Sequence, residues 1–112
     1  MPDRTGKILE RMLDVAAFRN KVLTSNIANA DTPGYKAKDI SFQKEMEKAS
    51  HTEGNKSYDI YESSTTVPNR DGNTVNVDIE MAKVAENTLT YDTAVQLLAM
   101  KQRMKKSILT AQ

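Results

Sequence analysis

Cysteine is absent from this 112-residue chain, so disulfides, thiolate nucleophiles and zinc–thiolate sites are excluded. Tryptophan is absent too, and only two phenylalanines and four tyrosines are present, which leaves little for an aromatic core. The lone histidine, His51, cannot build a His-rich metal site, and any serine nucleophile would have to use it as its base. It sits beside Thr52, Glu53 and Gly54 and reads as a solvated loop residue. An excess of one charge is missing as well: 16 basic residues face 15 acidic ones, for a net charge of +1. No global field therefore favours nucleic acid or a membrane surface. No apolar run approaches the roughly 20 residues of a membrane-spanning helix. The opening MPDRTGKILERMLDV lacks the apolar core of a secretory signal. The chain is expected to be made soluble and, if it leaves the cell, to use a route that reads no cleaved signal.

Three stretches follow one another. In residues 5–30, Leu9, Leu13, Ala16, Asn20, Leu23, Ile27 and Ala30 recur at alternating steps of four and three, the near-heptad spacing of an amphipathic helix. It ends at Asp31-Thr32-Pro33-Gly34, where Pro33 disfavours helical geometry at Thr32 and Pro-Gly suits the centre of a type II turn. Residues 31–76 are polar. They carry a weak helical pattern through Ile40, Phe42 and Met46 and an alternation at Tyr58–Tyr61 that suggests a short strand. In residues 77–111, Val77, Met81, Val84, Thr88, Tyr91, Val95 and Leu98 step by four and three again. The stripe then shifts to Leu97, Met100, Met104, Ile108 and Ala111. Asp78 and Glu80 near the start and Lys101, Arg103, Lys105 and Lys106 near the end suit a helix dipole.

The expected fold is all-α, in a single domain over residues 1–112. Two long N- and C-terminal helices pair as a coiled coil, joined by a polar loop region with at most a short strand or hairpin. With 38% hydrophobic residues, a two-helix hairpin buries too little to offset its conformational entropy comfortably. Further helices are needed, and other subunits are the simplest source.

No catalytic constellation stands out. Asp71, Asn73, Asn76, Asp78 and Glu80 imitate a calcium loop, but counted from Asp71 the sixth position is Asn76 rather than Gly and the twelfth is Ala82 rather than Glu. An Asp-Gly turn feeding a helix is the plainer reading. Gly-rich phosphate motifs are absent. The basic tail reads as a solvated helix end. Asn26 is harder to explain by helix propensity; one residue off the apolar seam, it is placed to hydrogen-bond across a helix interface.

The string SNIANADTPGYKAKDISF, residues 25–42, resembles the N-terminal signature of bacterial flagellar rod, hook and hook-associated proteins. DGNTVNVDIEMAKVAENTLTYDTAVQLL, residues 71–98, is similar to the C-terminal part of short proximal rod proteins of that family. The resemblance implies a non-enzymatic structural subunit of the flagellar basal body. Such a subunit is exported without a cleaved signal peptide and polymerises through its terminal helices, connecting the membrane ring to the rest of the rod and transmitting torque. Implied partners are copies of itself, other rod proteins, ring or adaptor proteins at the rod base, and the type III export apparatus. No cofactor, metal, nucleic acid or small-molecule substrate is expected. The candidate assembly residues are Leu9, Leu13, Leu23, Asn26, Ile27, Asn29, Val84, Tyr91, Val95, Leu98, Met104 and Ile108, with Asp31, Pro33, Gly34 and Tyr35 forming the turn. The competing reading is a small helical adaptor or export chaperone, which should fold stably alone as a defined dimer.

Overall fold

The computed structural model describes residues 4–51, 57–63 and 67–111. Two long helices dominate: α1, Arg4–Ala28, and α3, Val77–Thr110. They run antiparallel, so that Asn26 meets Glu80 and Asn87 meets Ala16. Between them the chain forms a short strand β1 (Lys38–Ile40), a helix α2 (Phe42–His51) and a second strand β2 (Ile60–Glu62). The strands pair antiparallel, with Asp39 opposite Tyr61. The expected paired helices and hairpin are thus present. The weak pattern around Phe42 and Met46 is a true helix, and the alternating stretch becomes a strand two residues later than its first tyrosine. The side chain of His51, and residues 52–56 and 64–66 of the polar stretch, lie outside the described residues.

Local chemistry sets the boundaries. Pro33 and Gly34 occupy the centre of a turn closed by a hydrogen bond from the Tyr35 amide to the Thr32 carbonyl, 3.2 Å. Gly34 has φ +76°, the left-handed value that position i+2 of a type II turn demands. At the start of α3, the Asn76 side chain accepts a hydrogen bond from the Ile79 amide at 3.2 Å, and Asp78 and Glu80 lie against the positive end of the helix dipole.

The core is small. Its buried apolar residues among those described are Leu9, Val15, Ala16, Leu23, Ala37, Ile40, Val75 and Ala94. Buried beside them are Asn26, Asp39, Glu45, Ser63, Asn73, Glu80 and Asn87. This corrects the expected register of the seam. On α1 the buried heptad line runs Leu9, Ala16, Leu23 with Arg19 and Asn26 at the intervening steps, while Asn20 is exposed and Ile27 half-buried. On α3 the line is Glu80, Asn87, Ala94, and Met81, Thr88, Tyr91 and Val95 turn outward. A reading that equates burial with hydrophobicity selects the neighbouring stripe, because the residues facing α1 are partly polar.

Candidate assembly interface

Asn26 forms a hub where α1, β1 and α3 meet. It is fully buried. Its amide nitrogen donates to the Lys38 carbonyl at 2.7 Å and to Glu80 Oε2 at 2.9 Å. Its carbonyl oxygen accepts from the Lys38 amide at 2.9 Å and the Tyr35 hydroxyl at 3.2 Å. Both donors and both lone pairs are used. The helix interface that Asn26 crosses is therefore one within the chain.

A charged cluster adjoins the hub. Arg19 makes a bidentate pair with the buried Asp39, Nε to Oδ1 at 2.9 Å and Nη2 to Oδ2 at 3.1 Å. The hydrogen bond to Asp39 raises the Arg19 pKa against the opposing effect of burial. Lys83 lies 3.7 Å from Asp39 and 3.8 Å from Glu80, and its ammonium donates to the Ser63 hydroxyl at 3.2 Å. Two buried carboxylates thus face two cations, the condition under which burying charge is tolerable.

The turn is held from the far half of the chain. Asn73 Nδ2 donates to the Asn29 and Thr32 carbonyls at 2.9 and 2.8 Å, a second hydrogen bond to carbonyls that the turn's own amides already engage. The Gly34 amide donates to the Asp71 carbonyl at 2.8 Å, and the Thr74 amide to the Tyr35 carbonyl at 3.0 Å. Asn29 itself acts locally, its side chain bonding the Ser25 carbonyl and the Thr32 hydroxyl.

The candidate residues therefore separate into two sets. Leu9, Leu23 and Asn26 are buried within the chain, and Leu13, Ile27, Asn29, Val84 and Leu98 are half-buried. Tyr91, Val95, Met104 and Ile108 are exposed. In the turn, Asp31, Pro33 and Gly34 are exposed and Tyr35 is half-buried. The reading of the sequence missed Arg19, Asp39, Asn73, Glu80 and Asn87. A seven-residue recurrence of polar side chains at 19 and 26 and at 80 and 87 was the available signal.

Apolar side chains run around α3 rather than along one face of it. Met81, Leu89, Leu97, Met100, Met104, Ile108 and Leu109 are all exposed. Gly6 and Lys7, near the start of α1, lie against Leu98–Lys105, so the last turn of α3 passes beyond its partner. Desolvation, and then the neighbouring Lys105, lowers the Lys101 pKa in this region. Among the described residues no group of His, Cys, Asp or Glu side chains could hold a metal ion, and no helix is long and apolar enough to cross a membrane.

Fold and site together define a helical-hairpin protein, locked by buried polar side chains and exposing apolar side chains along α3. Comparison with known proteins gives the particular kind. The profile of the family described as flagella basal body rod protein matches residues 15–36. Over 91% of this chain and 90% of its own length, the flagellar basal body rod protein FlgB of Bacillus subtilis is 35% identical. FlgB of Aeromonas hydrophila is 35% identical over 88% of this chain and 87% of its own. FlgB of Salmonella typhimurium is 30% identical over 96% and 94%. The chain belongs to the FlgB family of flagellar basal body rod proteins. The family is structural, and this chain is not an enzyme.

Proposed function

We propose that this rod protein works in the proximal rod, polymerising through α1 and α3 with copies of itself and other rod proteins. In this role it joins the membrane ring, directly or through adaptor proteins at the rod base, to the rest of the rod and carries torque. It reaches that position through the type III export apparatus without a cleaved signal peptide.

The observation that carries this reading is the exposed apolar side of α3. Met104, Ile108 and Leu109 are 60%, 62% and 75% exposed, on a helix whose apolar side chains are spread around its circumference among charged ones. Exposed apolar side chains in that number offer a surface for packing against other subunits. Packing between helices suits torque transmission, because close-packed side chains are nearly incompressible. Sedimentation across a concentration series, with circular dichroism on the same samples, tests the reading against a stably folded adaptor or chaperone. Species that grow with concentration while helicity rises are expected. A fully helical, concentration-independent monomer or dimer would overturn it.

A further inference from the structure

Two apolar stripes lie on opposite flanks of α3. The first, Met81, Val84, Thr88, Tyr91 and Val95, steps by three and four along its N-terminal half. Met81, Tyr91 and Val95 are exposed, as is Thr88, and Val84 is half-buried. Thr88 and Tyr91 border a groove shared with Asn20 and Lys21, so this flank lies on the Lys21 side of α1. The second stripe, Leu97, Met100, Met104 and Ile108, occupies the C-terminal half, and all four side chains are exposed. Val95 and Met104 are separated by about two and a half turns, which sets them on opposite sides of the helix. The second flank is open only toward the tail. Glu86, about five turns before Met104 and on the same side of α3, lies 3.7 Å from Arg19. Lys83 lies 3.7 Å from Asp39 and donates to the Ser63 hydroxyl. Along its N-terminal half this flank therefore meets Arg19 and the paired strands β1 and β2.

Charge is divided along the same axis. From Val77 to Asp92, α3 holds Asp78, Glu80, Glu86 and Asp92 against Lys83 alone. Beyond Asp92 it holds Lys101, Arg103, Lys105 and Lys106 and no acidic residue. Two parallel copies in register would set cations beside cations, whereas a shift of about half the helix sets the cationic half beside the anionic half. Arg103 and Lys106 lie off the apolar tail flank, so they bias the stagger rather than join the packing. One chain cannot bring its own two stripes together, because α3 is one continuous helix.

We propose that copies associate flank to flank, the Leu97–Ile108 stripe of one α3 packing on the Met81–Val95 stripe of the next. The two α3 helices run parallel. Met104 comes level with Thr88 and Tyr91 of the neighbouring copy, and Ile108 with Val95. The shift is roughly 14 residues, or about 21 Å along the axis. At that shift Lys83 and the strands it touches lie beyond the start of the neighbour's α3; unshifted, they would lie against its Val84. Because the two stripes are different surfaces on opposite flanks, the contact is heterologous, each copy keeps a free flank for the next, and growth is open-ended. This rests on the self-assembly proposed above and adds to it the two surfaces and their stagger.

The absence of native cysteine allows a direct test on the full chain. Thr88→Cys and Met104→Cys proteins are mixed under mild oxidation. The disulfide between positions 88 and 104 is expected to form faster than either self-linked pair, 88 to 88 or 104 to 104. Independently, Val95→Arg damages one flank and Met104→Arg the other. Each variant alone should associate in sedimentation at least about tenfold more weakly than wild type. Mixed, the two should form a one-to-one pair and stop there, because each retains one intact flank. Where wild type associates, faster linking of 104 to 104, or a mixture that associates no better than its components, overturns the flank-to-flank contact and leaves the proposed function standing. Variants that both associate as wild type does have the same consequence. Wild-type protein that stays monomeric at every concentration overturns both.

Discussion

Replacing Asn26 by leucine keeps a good helix former in α1 and removes a hub. Lys38, Tyr35 and Glu80 all lose a partner, at about 1–3 kcal/mol for each buried group left unsatisfied and more for the carboxylate. Asn26→Leu should therefore lower the thermal stability of the assembled protein severely and reduce the subunit content of purified basal bodies. A variant with unchanged melting and normal incorporation would show that the hub is dispensable. Gly34 offers a cleaner case. A Cβ built there meets nothing within 4 Å, so steric contact plays no part. Gly34→Val should still cost roughly 1–3 kcal/mol through backbone strain at positive φ. Gly34→Asn, which tolerates that conformation better, should recover most of the loss, and Pro33→Ala should be mild. Equal unfolding midpoints for Gly34→Val and wild type would rule out strain at the turn.

The two long helices carry different burdens. α1 is used mainly inside the chain. Leu23 is fully buried, and Leu23→Ala should destabilise the assembled fold by about 2–5 kcal/mol. Leu98, half-buried, should cost less when truncated. α3 divides its surface between α1 and the outside. Ile108→Asp removes an apolar side chain that is 62% exposed and should change monomer helicity little while preventing incorporation. Comparing circular dichroism with basal-body content separates the effects: Leu23→Ala should lower both, Ile108→Asp only the second. The reverse pattern would reassign the two faces.

At the scale of the whole molecule, extents of 68 × 27 × 16 Å describe a rod-shaped subunit with a thin core. Few buried apolar side chains face the ordering entropy of two long helices. Dilute wild-type protein should therefore show much less helix than the folded structure contains and gain it as subunits associate. A cooperative thermal transition with full helicity in dilute monomer would contradict this.

Much of this was legible in the residues alone. Periodicity placed α1 and α3 within a few positions, and Pro33-Gly34 marked the turn with its left-handed glycine. The absence of cysteine and the single histidine argued against common enzyme chemistries, and the two signature strings pointed to the family. These are local properties, written in spacing and in the torsional limits of proline and glycine. Which stripe faces inward was decided by tertiary structure. The sequence offered the apolar line Met81, Tyr91, Val95, while the fold buries Glu80, Asn87 and Ala94 and turns that line outward. Polarity alone could not reveal this. A buried carboxylate or amide is stable only when partners arrive from distant segments, as Asn26 meets Glu80 and Asn73 reaches the end of α1. Hydrogen bonds over separations of 54 and 44 residues leave no periodic trace in either partner's neighbourhood.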